Sequence, residues 1–275
     1  MQIEAVALRR VSMPLVKPFR TSFGTETDRD VVLVRVRTPD GDGWGECVAM
    51  SEPGYSSEWV DGAQLVLRKH LVPTLLAAGD IGAFDVAAIL ANIKGHRMAK
   101  AALEMAVLDA ELRRAGTSFA EALGATSTTV DCGVSVGIPA SIDDLLDQVA
   151  AYLIAGYKRV KLKIEPGWDV EPVRAVRTAF ADLPLQVDAN AAYSLADADH
   201  LAELDTFDLM MIEQPLEYDD LRDHAALQRR LTTPVCLDES IHTVRAAEEA
   251  IALEACRIIN IKPGRLGGHA ESIRV

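Results

Sequence analysis

Five short apolar segments between residues 160 and 264 recur at a nearly constant spacing, and each ends in a residue able to do chemistry. These polar positions are Lys163, Asp188, Glu213, Asp238 and Lys262, which lie 25, 25, 25 and 24 residues apart. Stretches with helical periodicity lie between the segments, and strand, helix, strand at a fixed period is typical of a parallel βα repeat. The spacing therefore predicts a (β/α) barrel, a fold whose active sites lie at the carboxyl ends of the strands.

Alternation along residues 160–164 separates two faces of the predicted strand. Lys161 and Lys163 share one face, and the apolar Val160, Leu162 and Ile164 take the other. The apolar face should meet the helices, so the two lysines face the barrel interior. The same phase turns the polar ends of the other four segments inward. The residues expected one layer below them are Gln186, Met211, Cys236 and Asn260.

Composition argues against several classes of partner. The 275 residues include 28 Lys and Arg against 41 Asp and Glu, which gives a net charge of −13 and a pI near 4.9, so nucleic acid is not expected as a partner. Four widely spaced cysteines form no CxxC pair and are predicted to be reduced core residues of a cytoplasmic protein. No apolar run approaches the length of a membrane span, and the N-terminus lacks a signal-peptide pattern.

Residues 1–125 are predicted to form an α+β domain that precedes the barrel of residues 126–275. Alternating apolar residues and turn signals predict a three-stranded antiparallel meander. Its strands are expected at 3–15, 31–37 and 44–48, and helices at 58–76, 83–93 and 97–114. Residues 19–24 are expected to be a loop with two exposed aromatic side chains, which is either an ordinary surface loop or a lid.

Three carboxylates on neighbouring strands, Asp188, Glu213 and Asp238, would converge at the mouth of such a barrel. In a buried mouth they would repel one another unless a cation lies between them. Hard oxygen ligands without His or Cys indicate Mg²⁺ or Mn²⁺. The alternative is that each carboxylate caps the following helix, which explains neither the shared phase nor the lysines.

Lys163 and Lys262 are predicted to lie four strands apart, on opposite sides of the mouth of an eight-stranded barrel. A substrate carboxylate held at the metal would then have its α-carbon between two amines. Abstraction of the α-proton creates a dianion that forms only where positive charge neutralises it. Lys163 must be neutral to act as the base, and Lys161 on the same face favours that neutral form by like-charge repulsion.

At these residues the chain resembles the enolase superfamily, whose members use a Lys or His base with Mg²⁺. The segments that resemble its muconate-lactonizing subgroup are Lys161-Leu162-Lys163, Asp188-Ala189-Asn190, Glu213-Gln214-Pro215, Asp238-Glu239-Ser240 and Lys262. Residues 95–100, 164–169 and 260–265 are similar to o-succinylbenzoate synthases that often also racemise N-acylamino acids. The resemblance covers the whole chain.

The resemblance implies an α+β capping domain and a (β/α) barrel that is incomplete here, with about six βα units. It also implies that the three carboxylates bind the metal, that Lys163 abstracts the α-proton and protonates the departing hydroxyl, and that Lys262 stabilises the enediolate or exchanges a proton on the opposite face. Substrate contacts are expected from the loops at 19–24 and 53–55 and from the barrel. The residues expected to make them are Phe23, Tyr55, Ser135 and Asn190.

The leading functional prediction is a Mg²⁺-dependent lyase, an o-succinylbenzoate synthase of menaquinone biosynthesis that acts on a small carboxylate and assembles as a homo-oligomer. N-acylamino acid racemisation at the same site is the alternative. Because the chain stops at Val275, inside the helix after the sixth predicted barrel strand, a third hypothesis from another class is an inactive truncated fragment with unpaired strand edges.

Overall fold

The computed structural model describes residues 1–275 and contains two sheets. The first is antiparallel and is built in the order β1 (Ala5–Thr21), β2 (Gly24–Thr38) and β3 (Gly41–Cys47). The second is parallel, and its six strands pair in chain order. They are β4 (Gly133–Val136), β5 (Arg159–Lys163), β6 (Leu185–Asp188), β7 (Ile212–Glu213), β8 (Val235–Leu237) and β9 (Ile258–Ile259).

The helices divide between the two sheets. Those of the N-terminal part are α1 (Val60–Val66), a π-helical turn (Leu67–Leu71), α2 (Val72–Leu76), a 3₁₀ turn (Ala83–Asp85), α3 (Val86–Ile89), α4 (Arg97–Ala115) and α5 (Phe119–Ala122). The parallel sheet is connected by α6 (Ile142–Ile154), α7 (Val170–Ala179), a 3₁₀ turn (Leu195–Asp197), α8 (Ala198–Leu201), a second 3₁₀ segment (Ala202–Phe207), α9 (Leu221–Gln228) and α10 (Val244–Ala252). Two short helices, α11 (Pro263–Leu266) and α12 (His269–Arg274), follow β9. The molecule is thus an antiparallel cap and a barrel-type α/β domain, as predicted.

The phase of the parallel strands follows the predicted alternation. Val160, Leu162 and Ile164 are buried in a 31-residue hydrophobic cluster that also contains helix residues such as Val173 and Val176. Because successive side chains of a strand point to opposite faces, Lys161 and Lys163 lie on the other face. The predicted separation of an apolar outer face from a polar inner face is therefore confirmed on β5.

The first hairpin is longer than predicted, and the expectation that residues 19–24 form a loop is wrong. Pairing of β1 with β2 resumes after an irregularity between Pro14 and Phe19, so that Phe19 faces Glu26 and Thr21 faces Gly24. Only Ser22 and Phe23 form the turn. The second predicted helix is also shorter, because α3 ends at Ile89 and the chain then turns through left-handed Gly95 and His96 into α4.

The hairpin tip joins the cap to the barrel. Ser22 Oγ donates to the Ala189 carbonyl at 2.9 Å, and the Arg20 guanidinium lies 2.7 Å from Glu165. The backbone N–H of Ile138 donates to the Arg20 carbonyl at 3.0 Å. The tip is therefore held over the carboxyl ends of the first barrel strands.

All four cysteines are free, as predicted, but they do not all lie in the core. Cys47 and Cys236 are buried, Cys256 is half-buried and Cys132 is exposed. None of the helices combines the length and apolar character that crossing a bilayer would require.

Candidate active site

A cavity of about 390 Å³ lies between the cap and the carboxyl ends of the parallel strands. The cap contributes the hairpin tip with Phe23 and the segment with Tyr55, and the barrel contributes Lys163, Asn190 and Lys262. The two predicted lysines therefore line one common cavity although 99 residues separate them in the sequence. Both aromatic side chains of the cap lie beside them, with ring centroids 5.8 Å apart.

Three buried carboxylates lie next to this cavity at the ends of neighbouring strands. Asp188 ends β6, Glu213 ends β7 and Asp238 directly follows β8, and each is at most 1% exposed. The strand register pairs Lys163 with Asp188 and Asp188 with Glu213, so these side chains lie on one level of the sheet. The predicted convergence of adjacent strands thus results from in-register parallel pairing.

Each carboxylate is compensated by cationic side chains. Lys161 Nζ bridges two of them, at 2.8 Å from Asp188 Oδ2 and 2.9 Å from Glu213 Oε2. Lys163 Nζ also lies 2.7 Å from Asp188, and Lys262 Nζ lies 2.6 Å from Asp238 Oδ2. Each of the three carboxylates therefore has at least one oxygen paired with an ammonium group.

The protonation equilibria reflect a balance between burial and charge. Burial disfavours charge on Lys161, but attraction to Asp188 and Glu213 outweighs it, and the pKa of Lys161 is raised. The pKa of Lys262 is likewise raised, because its pairing with Asp238 outweighs burial. Burial raises the pKa of Asp238 to about 6 even though Lys262 acts in the opposite direction.

The donor set fits a hard divalent cation by its chemistry. No three acidic, histidine or cysteine side chains are arranged here as a direct coordination shell, since each carboxylate is paired with ammonium or guanidinium groups. The carboxylate oxygens that pair with the ammonium and guanidinium groups are also the oxygens that a metal ion would use. A cluster of carboxylate oxygens without His or Cys is the ligand type that Mg²⁺ prefers. Asp188, Glu213 and Asp238 are the residues that would hold such an ion.

The four predicted substrate contacts are not all in one place. Phe23, Tyr55 and Asn190 line the cavity shared by the two lysines. Ser135 lies in a different cavity of about 350 Å³, with Lys161 and Glu213. In the register of β4 with β5, Ser135 faces Lys161, which puts it one layer below Lys163. Its hydroxyl is buried without a hydrogen-bond partner.

Three further residues of the site were not singled out from the sequence. Arg265, 7% exposed on α11, contacts both Asp238 and the Tyr55 hydroxyl. The fully buried Gln214 accepts hydrogen bonds through Oε1 from the backbone N–H groups of Asp238 and Ser240, at 3.0 and 3.2 Å. Both residues lie within segments that carry the family resemblance, but only the folded geometry shows their partners.

Glu239 is the third of these residues. It is 8% exposed, and its Oε1 accepts a hydrogen bond from Asn190 Nδ2 at 2.7 Å. Burial, together with the nearby charges of Asp238 and Asp188, raises the pKa of Glu239 to about 8. Like the other two, it lies in a segment that carries the family resemblance, Asp238-Glu239-Ser240, but only the folded structure shows its contact with Asn190.

Comparison with protein families matches both parts of the chain. Residues 3–124 match the N-terminal domain of mandelate racemase and muconate lactonizing enzyme, and residues 144–275 match the enolase C-terminal domain-like family.

Characterised relatives are similar over the whole chain. An N-succinylamino acid racemase from Amycolatopsis sp is 62% identical over 276 residues, which cover 100% of this chain and 75% of that protein. An o-succinylbenzoate synthase from Geobacillus kaustophilus is 50% identical, with coverages of 99% and 73%. An o-succinylbenzoate synthase from Bacillus subtilis is 45% identical, with coverages of 100% and 74%. The chain thus spans about three quarters of the length of these relatives.

Solved structures are also similar to this chain over its whole length. A member of the enolase superfamily from Listeria innocua superposes with a TM-score of 0.95 at 39% identity, covering 100% of this chain and 74% of that one. Muconate lactonizing enzyme from Pseudomonas fluorescens, solved with muconolactone, gives a TM-score of 0.92 at 26% identity, with coverages of 99% and 76%.

Proposed function

This chain belongs to the enolase superfamily, and from that premise we propose that it is a Mg²⁺-dependent o-succinylbenzoate synthase, a carbon–oxygen lyase. The observation that supports the proposal most directly is that Lys163 and Lys262 line one cavity beside three buried carboxylates. The proposed substrate is a small carboxylate with an acidic α-proton. Homologues named o-succinylbenzoate synthase at 45–50% identity support this choice.

In the proposed reaction Lys163 is the base. Its neutral amine takes the α-proton of the substrate, so the C–H electron pair passes into the carboxylate to give an enediolate. When bound, Mg²⁺ supplies Lewis-acid stabilisation of the negative charge that develops. The resulting Lys163 ammonium then gives its proton to the departing β-hydroxyl, which leaves as water while the enediolate electrons form the new double bond.

Lys262 stabilises the enediolate by its positive charge in this proposal. Its ammonium is held by Asp238 at 2.6 Å and by the Tyr55 hydroxyl at 2.8 Å, so it is fixed from both the barrel and the cap. The raised pKa of Lys262 favours the charged form that this role requires. Phe23 and Tyr55 line the same cavity from the side of the cap.

N-succinylamino acid racemisation is the second candidate activity. It is favoured by the relative from Amycolatopsis at 62% identity and by the presence of two lysine amines in one cavity. In racemisation one lysine removes the α-proton and the other returns a proton to the opposite face. The same residues therefore serve both reactions.

The test is turnover by residues 1–275 with Mg²⁺ and the hydroxylated cyclohexadiene carboxylate precursor. Formation of o-succinylbenzoate that stops in a Lys163→Ala variant is the expected result, and no turnover by the unmodified chain would reject the synthase. Loss of optical rotation of N-succinylamino acids without activity on the precursor would favour the racemase. Mg²⁺-dependent activity with a cooperative thermal melt would contradict an inactive fragment. Homo-oligomer formation stays a prediction, which sedimentation velocity would test.

A further inference from the structure

Asn190 connects the proposed base to a buried acid that the reaction described above does not use. The Asn190 side-chain oxygen accepts a hydrogen bond from Lys163 Nζ, and its Nδ2 donates to Glu239 Oε1 at 2.7 Å. The backbone N–H of Asn190 also donates to Asp188 Oδ1 at 3.1 Å, and its φ of 46° lies in the left-handed region that Asn tolerates. The backbone of Asn190 is thereby fixed, and only the amide group can still turn over.

The two ends of that amide are not equivalent toward the base. With its oxygen toward Lys163, the amide accepts from the amine in either protonation state. With its NH₂ toward Lys163, it would repel the ammonium, and it would donate to the lone pair of the neutral amine. That lone pair is the one that must take the substrate proton, so the second orientation blocks the base.

Glu239 determines which orientation is adopted. In the structure Glu239 Oε1 accepts from the amide NH₂, and this contact leaves the amide oxygen toward Lys163. The other carboxyl oxygen, Oε2, is buried without a partner, so the only hydrogen bond of the Glu239 side chain is the one to Asn190. We propose that Glu239 is a positioning residue that holds the Asn190 amide oxygen toward Lys163 and leaves the amine lone pair free for the substrate.

The proposal rests on the proposed function, in which Lys163 is the base. Glu239→Leu should lower kcat about 10- to 100-fold with KM changed less than about threefold, because the lost alignment affects proton transfer rather than binding. Glu239→Gln keeps an acceptor oxygen at the same length and should stay within about threefold of the unmodified protein. The double variant Asn190→Leu, Glu239→Leu should be no slower than Asn190→Leu alone, because Glu239 acts through Asn190.

Each of the opposite results overturns the proposal. These are unchanged kcat in Glu239→Leu, additive losses in the double variant, or a large loss in a folded Glu239→Gln protein. A fall in Mg²⁺ affinity that matches the fall in kcat, measured by titration calorimetry, would place the effect at the metal instead. If Glu239→Leu fails to fold, Glu239→Met tests the same prediction, because Met matches the length of Glu and lacks its carboxyl oxygens.

A measurement without turnover separates this proposal from the proposed function. In the Mg²⁺-loaded protein, trace acetic anhydride acylates Lys163 at a rate that mass spectrometry of its peptide reports. Glu239→Leu should slow this acylation at least about threefold, since the flipped amide occupies the lone pair, and Glu239→Gln should not. The matched control is Glu104→Leu, which removes another buried carboxyl whose partners are the backbone N–H groups of His269 and Ala270. Equal acylation rates in Glu239→Leu and the unmodified protein would overturn the positioning role even if the chain catalysed neither reaction.

Discussion

Replacement of Gly43 by alanine tests how closely the cap is assembled. Strand β3 lies directly against helix α4, and a Cβ at Gly43 would overlap the Ala106 carbonyl oxygen and would lie 2.5 Å from the Ala110 nitrogen and 2.7 Å from Ala110 Cβ. Optimal separations between carbon atoms are about 3.5–4.0 Å, so α4 would have to move outward by more than about 1 Å. Neither backbone atoms nor an alanine Cβ can rotate away. The substitution therefore strains the packing of the whole helix.

The magnitude follows from the cost of overpacking. Inserted methyl groups in well-packed cores cost about 1–3 kcal/mol, and the immobile neighbours of Gly43 put this case near about 3 kcal/mol. Against a folding stability of about 5–15 kcal/mol this is a large loss. With a urea m value of about 3 kcal/mol/M, the unfolding midpoint should fall by about 1 M.

Urea unfolding followed by circular dichroism is the assay, and Gly54→Ala is the control. Gly54 has no neighbouring heavy atom within 4 Å of the position of a Cβ, so its substitution should change stability by less than about 0.5 kcal/mol. Gly43→Ala should also lower catalytic activity, because α4 contacts the segment that follows Lys262. Glu104 of α4 accepts from the N–H groups of His269 and Ala270, just after the helix that begins beside Lys262. An unchanged midpoint in Gly43→Ala would refute the close-packing argument.

Three further outcomes test the chemistry and the electrostatics. Lys163→Ala should lower dehydration about 10³-fold, whereas Lys262→Ala should stop racemisation but leave exchange of the α-proton of one enantiomer with deuterium, which NMR detects. A chelator should abolish turnover, and Mg²⁺ at about 100 times its Kd should raise the free energy of unfolding by about 2.7 kcal/mol, measured from urea midpoints. The hydrogen bond to Asp169 at 2.9 Å raises the pKa of His200, and the pKa of Asp169 is lowered because the same contact and its other hydrogen bonds outweigh burial. This pair should therefore stabilise the fold most between about pH 4 and 6.5. Its contribution should fall as the pH rises through the His200 pKa, and also as the pH falls through the Asp169 pKa. The loss of stability in His200→Gln should therefore be smaller near about pH 9, and a loss that does not shrink there would contradict this pairing.

The positions that could be predicted from the sequence are those determined by local alternation. Lys163 and Asp188 lie at the same level because neighbouring parallel strands of equal period pair in register. The inward face of Lys161 follows from the apolar residues on either side of it. These properties need no knowledge of the connecting helices, which explains why strand order and the location of the three carboxylates were predicted correctly.

The contacts that could not be predicted depend on segments without a repeating pattern. Arg265 contacts Asp238 only because α11 turns back toward the strand ends, and Tyr55 meets Lys262 only because the cap folds over the barrel. The position of Ser135 was also not predicted, although Ser135 lies within the repeat. It faces Lys161 in register, but its short side chain cannot extend to the upper layer as the lysine side chain does.

The balance of charge in the site leads to a last prediction, about the substrate. Three carboxylates face four cationic groups, so a bound divalent ion leaves the site with about three positive charges, and about two once one lysine gives up its proton to act as base. The cationic groups are Lys161, Lys163, Lys262 and Arg265. Buried charge is unfavourable unless it is compensated, so the site favours a dianion such as an N-succinylamino acid over the monoanionic N-acetyl derivative of the same amino acid.

We expect kcat/KM to be at least about tenfold higher for the succinyl compound at low salt, because one additional neutralised charge pair is worth about 1.4 kcal/mol or more in a partly buried site. N-butanoyl amino acids, which match the length of the succinyl group without its charge, are the control. If they are turned over as efficiently as the succinyl compounds, the preference depends on shape and the charge argument is refuted.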